Sequence, residues 1–196
     1  CHDNLAAHGG QRREVVYCAV CHTNQTTDPE SGNTVDLKVM IHKLHDGKAL
    51  PSVTVGKKPY VIVGYRLNVF DFSKSGFPQN VRNCTTCHKD AAQADNWKTM
   101  PSRAACGSCH DGIDWETGKA KYPGGKDHVA GPQKDDKSCK GCHPADSGNE
   151  FDASVVGAHV IPTRSKQLKG VVYTLDSATV KPGEKPVVEF TVKDSA

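Results

Sequence analysis

Aromatic residues make up only 6% of the 196-residue chain, methionine occurs twice, and all hydrophobic residues together reach 36%. A side-chain core of ordinary size is hard to build from that stock unless something else fills it. Long apolar runs are missing too: the best is Tyr60-Val61-Ile62-Val63, far short of the roughly 20 residues that span a bilayer. No transmembrane helix is encoded. Dense Lys/Arg blocks are also absent, since Arg12-Arg13 and Lys57-Lys58 stand as isolated pairs and the formal net charge is +3; nucleic-acid binding has no support. Cys1-His2-Asp3-Asn4 form neither a basic nor an apolar leader segment, so any targeting signal is expected upstream or already removed. The length admits one domain, or one and a half, and excludes a large multidomain enzyme.

Two residue types are in excess: nine Cys and ten His. A disulfide framework would prefer an even number of Cys and gives no reason for the histidines, so metal or haem chemistry is indicated. Four segments share one pattern: Cys18-Ala19-Val20-Cys21-His22, Cys84-Thr85-Thr86-Cys87-His88, Cys106-Gly107-Ser108-Cys109-His110 and Cys139-Lys140-Gly141-Cys142-His143. Cys-x-x-Cys-His is the attachment signature of c-type haem, in which the two thiols add to the haem vinyl groups and the adjacent His becomes the proximal iron ligand. Cys1-His2 reads as the tail of a fifth motif whose Cys-x-x precedes the chain.

Zinc is the main competitor, because Cys84 to Cys109 also satisfies the spacing of a zinc ribbon. Zinc does not require a His after each Cys pair, and chance would place one after all four pairs roughly once in 10⁵ cases. Cys1 alone leaves two further alternatives, a lipidated first residue or a free thiol.

Five histidines follow a cysteine: His2, His22, His88, His110 and His143. Five remain: His8, His42, His45, His128 and His159. Five haem irons have five proximal and five distal positions, and the chain supplies both sets with none left over. Only Met40 and Met100 could compete as distal ligands, so five haems c with His/His ligation are expected. Such irons offer no open position, which disfavours chemistry on a small substrate and favours electron transfer. His/His ligation also predicts low potentials, since Met/His raises them. Two propionates per haem would turn the mildly basic chain into a holoprotein of net charge about −2 when ferric and about −7 when ferrous.

Along the chain, residues 33–47 give the clearest helix: Leu37, Met40, Ile41 and Leu44 repeat at helical spacing, Asn33 or Thr34 can cap its start, and Gly47 its end. His42 and His45, three apart, share one side of it and can serve two neighbouring haems. Residues 59–72 read as a hairpin turning at Gly64-Tyr65 in a type II′ geometry. A short helix is expected over residues 90–100, with Pro101 opening the next one, which carries Cys106 to His110. Residues 112–137 read as an irregular segment tethered by His128. Within it Asp135-Asp136 is a candidate contributor to a Ca²⁺ site, with a solvated loop as the alternative. After His159 no Cys or His occurs, and residues 171–175 and 187–192, separated by Pro182-Gly183-Glu184-Lys185-Pro186, read as strand, turn and strand. Two strands bury no core alone, so they open an all-β domain that is cut or packs on a partner.

Several stretches closely resemble one family, the outer-membrane decahaem c-type cytochromes of metal-reducing bacteria (OmcA/MtrC): Cys1-His2-Asp3-Asn4-Leu5-Ala6-Ala7-His8-Gly9-Gly10, Tyr17 to His22, Val39-Met40-Ile41-His42-Lys43-Leu44-His45 and Val81-Arg82-Asn83-Cys84-Thr85-Thr86-Cys87-His88. The resemblance spans roughly residues 1–165 and identifies them with the first pentahaem domain of a chain that alternates β-barrel-like and pentahaem domains. It implies a multihaem cytochrome fold, mostly irregular, with short α-helices and a small β-hairpin around packed haems. Residues 166–196 then open a following β-sandwich or barrel. It also implies five bis-His haems and a cell-surface location on the extracellular side, with the periplasm as alternative. The partners implied are other multihaem cytochromes of an outer-membrane electron conduit and ferric minerals, soluble metals or flavins as acceptors; terminal metal reduction would belong to the parent protein. Two other functions stay open: a periplasmic multihaem oxidoreductase acting on nitrogen or sulfur oxyanions, which would want a five-coordinate haem, and a storage module whose haems only stabilise the fold.

Overall fold

The computed structural model describes residues 2, 5–168 and 170–194. Helices are short, and the ones that carry thiols coincide with the Cys-x-x-Cys-His segments. These are α1 (Val15–Cys21), α5 (Arg103–Cys109) and α6 (Cys139–Cys142), with a single 3₁₀ turn at Cys84–Thr86. The longest helix is α2 (Leu37–Asp46); α3 (Pro51–Thr54), α4 (Asn96–Thr99) and α7 (Val155–Ala158) are one turn each. Two antiparallel hairpins complete the described structure: β1 (Val61–Val63) with β2 (Val69–Asp71), and β3 (Val171–Thr179) with β4 (Val187–Asp194). Further 3₁₀ turns lie at Gly47–Ala49, Tyr65–Leu67, Phe72–Lys74 and Pro162–Arg164, and the rest is irregular, as the polar, Gly- and Pro-bearing sequence implies.

Asp36, not Asn33 or Thr34, caps α2, its carboxylate accepting from Lys38 N at 3.1 Å. The start shifts because residues 26–35 are committed elsewhere: Val35 N donates to Thr26 O, and the Asn33 amide donates to Val61 O at 2.8 Å. Gly47 closes the helix as expected, with φ 45° and its N–H on Lys43 O. The residue that α2 buries is Val39 rather than the Leu37/Met40/Ile41/Leu44 stripe, and Ile41 is 38% exposed.

The hairpin over residues 59–72 forms, but not through a two-residue type II′ turn. Gly64 N donates to Asn68 O across a five-residue loop in which Arg66 and Leu67 both have positive φ. The loop length, not Gly64, sets the register Val61↔Asp71. Between residues 90 and 100 only α4 is helical, and Pro101 precedes α5 instead of entering it. Ser102 is the cap, its Oγ accepting from Ala105 N at 3.2 Å. β3 and β4 pair as expected, with a bulge between Leu175 and Ser177, and nearly all their side chains are exposed.

Three hydrophobic residues are buried among those described, Val39, Leu50 and Tyr60, against six polar ones: Asp28, Asp36, Ser52, Ser108, Asp111 and Ser154. The polypeptide exposes 13944 Å², whereas a compact protein of 21.1 kDa exposes about 9,000 Å². What side-chain core exists gathers around α2, which packs on α5, with Leu50 at the start of α3 and Tyr60 just before β1. Asp28 anchors it, accepting from Val63 N at 2.9 Å and from Ser31, while Tyr60 donates its hydroxyl to Thr34 O. No helix among the described residues is long and apolar enough to cross a membrane.

Candidate metal centre

Each complete Cys-x-x-Cys-His segment makes the same local structure. The backbone N–H of its histidine donates to the carbonyl of its first cysteine, at 2.9 Å for His22 on Cys18, 2.9 Å for His88 on Cys84, 2.8 Å for His110 on Cys106 and 2.8 Å for His143 on Cys139. One helical turn thus sets two thiols three apart on one side and delivers the imidazole at the end of the turn. The expected thioether role of Cys1 lies outside the described residues; none of the other eight cysteines is in a disulfide. Burial pushes the thiols of Cys84, Cys106 and Cys139 up, and that of Cys109 up to about 11, with Asp46 adding to the last.

The histidines meet in five pairs, each joining one residue that follows a cysteine to one that does not. Ring centroids are 5.9 Å apart for His2 and His45, 6.0 Å for His8 and His22, 6.1 Å for His42 and His88, 6.3 Å for His110 and His159, and 6.3 Å for His128 and His143. The rings are too far apart to bond each other. Two metal–nitrogen bonds of about 2.0 Å plus about 1.1 Å on each side from nitrogen to ring centre give about 6.2 Å, so each gap fits one shared metal atom. His8 faces His22, not the nearby His2. His42 and His45 face two different partners, as their placement on α2 allows.

Tautomers are set by the backbone. Six rings place Nδ1 against a carbonyl: His22 on Val35 O, His42 on Lys38 O, His45 on Ile41 O, His128 on Gly131 O, His143 on Ala153 O and His159 on Val155 O, at 2.5 to 3.0 Å. A carbonyl only accepts, so Nδ1 carries the proton and Nε2 keeps its lone pair for a metal. Burial, helped by the neighbouring imidazole of the pair, lowers the pKa of His88 and of His110, which favours the neutral ring a metal needs. Among the described residues no three His, Cys, Asp or Glu side chains converge on one point, so ring pairs are the unit of this centre.

At Asp135-Asp136, the candidate Ca²⁺ contributor, Asp136 accepts from Arg103 N at 3.0 Å and Nε at 2.9 Å, and the half-exposed Asp135 lies 3.5 Å from Lys137 Nζ, contacts that suit the solvated-loop alternative.

Some neighbours of the ring pairs carry no motif that would flag them. Phe77 lies edge-on to His45 at 5.6 Å and Trp115 edge-on to His128 at 5.5 Å. A cleft of about 210 Å³ joins Cys84 to His159, with Arg82, Trp97 and Glu150 in its walls. For Asp111 a signal existed, since it follows His110 directly in sequence.

Residues 1–156 match the family model for the outer membrane cytochrome MtrC/MtrF-like domains II/IV. Over 151 residues the chain is 29% identical to the multiheme cytochrome MtrC of Shewanella baltica (strain OS185), an alignment covering 74% of this chain and 17% of that protein. Among solved structures, the outer membrane decaheme cytochrome OmcA superposes with a TM-score of 0.63 at 27% identity, covering 99% of this chain and 27% of that one. The MtrC structure from Shewanella baltica OS185 aligns at 25% identity with a TM-score of 0.49, over 99% of this chain and 25% of that one. The chain thus spans about a quarter or less of the relatives it matches, and it belongs to the MtrC/MtrF-like outer membrane cytochrome family, in the region of its domains II/IV.

Proposed function

We propose that residues 1–165 form a pentahaem electron-transfer module whose five c-type haems are held by the five histidine pairs. The observation that carries this reading is the complete one-to-one matching of cysteine-linked with isolated histidines at 5.9 to 6.3 Å. When bound, each haem supplies a one-electron ferric/ferrous couple. The protein's part is to fix both imidazoles and their tautomers. With a ring on each side no axial position stays open, which favours electron transfer over reduction of a nitrogen or sulfur oxyanion.

Placement also supports an order. His45 and His42 tie the pairs His2/His45 and His88/His42 to α2, and His22 accepts Leu37 N at the start of the same helix. α2 packs against α5, where Lys43 pairs with Asp111 beside His110, and Arg103 at the start of α5 binds Asp136 just ahead of α6. The pairs therefore follow one another as His2/His45, His88/His42, His110/His159 and His143/His128, with His22/His8 beside α2. The module serves in this reading as part of a surface cytochrome that hands electrons from other multihaem cytochromes to ferric minerals, soluble metals or flavins on the extracellular side. Residues 166–196 begin the next, β-rich domain.

The test is mass spectrometry of peptides from the native holoprotein, with visible and electron paramagnetic resonance (EPR) spectra. Each peptide holding a Cys-x-x-Cys-His segment, and the one holding Cys1, is expected to be heavier by one haem, with all five irons low-spin. A high-spin ferric signal, or cyanide binding at one iron, would instead favour the oxidoreductase.

A further inference from the structure

Trp115 belongs to none of the haem-attachment segments, yet it touches two of the proposed sites. It sits in the loop after His110, a loop made rigid by Asp114, whose Oδ1 accepts from Glu116 N at 2.9 Å and Thr117 N at 3.2 Å, and by the Ile113↔Ala120 bridge. On one side the indole stands edge-on to the His128 ring, 5.5 Å between centroids at 64°. On the other its Nε1 lies over Gly107, between Cys106 and Cys109, so close that a Cβ there would be 2.8 Å away. His128 has no regular element to hold it. Its support is a turn in which Gly131 N donates to His128 O and Gly131 O accepts from Nδ1, docked through His128 N on Gly118 O. That hydrogen bond fixes the tautomer and holds the ring by its Nδ1 edge, and the indole supplies a second contact to the same ring.

We propose that Trp115 is a positioning residue that fixes the plane of the His128 ring against its partner His143, 47° apart, and shields that haem from water, using the Cys106–Cys109 turn as its backstop. The inference rests on the His128/His143 pairing above. Gly107 is the sequence feature that permits it, since a side chain there would displace the indole.

The consequence is electronic. The angle between two axial imidazole planes sets the g anisotropy of a low-spin ferric haem, and burial raises its potential by disfavouring the more positive ferric state. Removing the indole frees the ring and admits water. The experiment uses the full holoprotein with Trp115→Leu, Trp115→Phe and Gly107→Ala, read by haem mass, EPR and potentiometric titration. Expected are five retained haems and one altered low-spin EPR signal in Trp115→Leu. The potential of that same haem falls, with a change of about threefold to tenfold in its reduced-to-oxidised ratio, tenfold being about 59 mV for one electron. Gly107→Ala changes the same signal, and Trp115→Phe, which keeps an aromatic edge, restores most of it. A His128→Met variant marks which component belongs to His128. If Trp115→Leu and Gly107→Ala leave that component's signal and potential as in the wild type, the proposal is overturned while the ligation stands. If His128→Met moves no component, the ligation reading itself fails. Should Trp115→Leu lose haem, the Gly107→Ala and Trp115→Phe spectra decide alone.

Discussion

Lys43 Nζ lies 2.5 Å from Asp111 Oδ2, and through this pair the helix that carries His42 and His45 is fastened to the turn that carries His110. Both side chains are largely withdrawn from water, 15% and 8% exposed, and Asp111 Oδ1 accepts from Ser52 N at 2.9 Å, adding α3 to the joint. In a protein with three buried hydrophobic residues among those described, such a polar tie carries unusual weight in spacing the histidine pairs.

Removing one partner of a buried pair leaves the other charge without compensation, at a cost of about 3–5 kcal/mol. Asp111→Ala is therefore expected to lower stability by that order, measured by denaturant unfolding of the holoprotein, and Lys43→Met by less because Asp111 keeps Ser52. The double variant Lys43→Met/Asp111→Ala should cost less than the sum of the two single changes. Strict additivity would show that the pair contributes nothing as a pair.

Why the Cys-x-x-Cys-His turns were legible and the packing was not follows from the residues themselves. Cys-x-x-Cys-His is a local pattern, one helical turn long, so Cys18 to His22 or Cys106 to His110 can be read in isolation. The ring pairs join sequence separations that no local rule fixes. His8 pairs with His22 and His128 with His143, while His159 reaches back to His110. The start of α2 moved to Asp36 because Asn33 and Thr34 were drawn into contacts with Val61, Tyr60 and Thr26, tertiary partners invisible to capping rules. The five-residue hairpin loop had a similar cause, Arg66 and Leu67 taking positive φ that their residue types do not advertise.

Asp28 links acid stability to the β1 contact. Hydrogen bonds from the Ser31 side chain and from Val63 N–H hold its carboxyl down to about 2, against an ordinary 3.8. A depressed folded-state value means stability that is fully present above the ordinary value and is lost as pH falls through about 2. Asp28→Asn should thus be less stable than the wild type at neutral pH, with the two converging as pH falls from about 4 to about 2. Denaturant midpoints measured across that range check this. A constant offset at every pH would mean that the carboxylate charge plays no part.

On the proposed ligation, His45→Met exchanges a distal imidazole for a thioether at the ring pair with His2. Because Met/His ligation raises a haem potential relative to His/His, one component of a redox titration should move upward while the haem count by mass stays at five. The site nearest along α2, His88/His42, should shift far less, since Nδ1 of His42 keeps its own bond to Lys38 O. An unchanged set of potentials would remove His45 from the ligand set.

Gly157 and Gly141 make opposite predictions for the same substitution. Both sit in one-turn helices, α7 and α6, where Ala is intrinsically favoured over Gly by about 1 kcal/mol. At Gly141 an added Cβ meets nothing within 4 Å, whereas at Gly157 it would lie 2.0 Å from Asp152 Oδ1 and 2.6 Å from Asn149 O. Asp152 cannot step aside cheaply, because its Oδ1 accepts both Ser154 N and Ser154 Oγ, and Ser154 Oγ in turn caps α7 through Gly157 N at 3.0 Å. The clash therefore outweighs propensity: Gly157→Ala should destabilise the holoprotein by about 1–3 kcal/mol, and Gly141→Ala should be neutral or stabilising by up to about 1 kcal/mol. Since His159 hangs from α7 by its Nδ1 on Val155 O, Gly157→Ala should also disturb the low-spin spectrum of one haem, the one shared with His110. A Gly157→Ala protein as stable as Gly141→Ala, with five undisturbed spectra, would show that the turn from Asn149 to His159 is not the rigid mount described for that ligand.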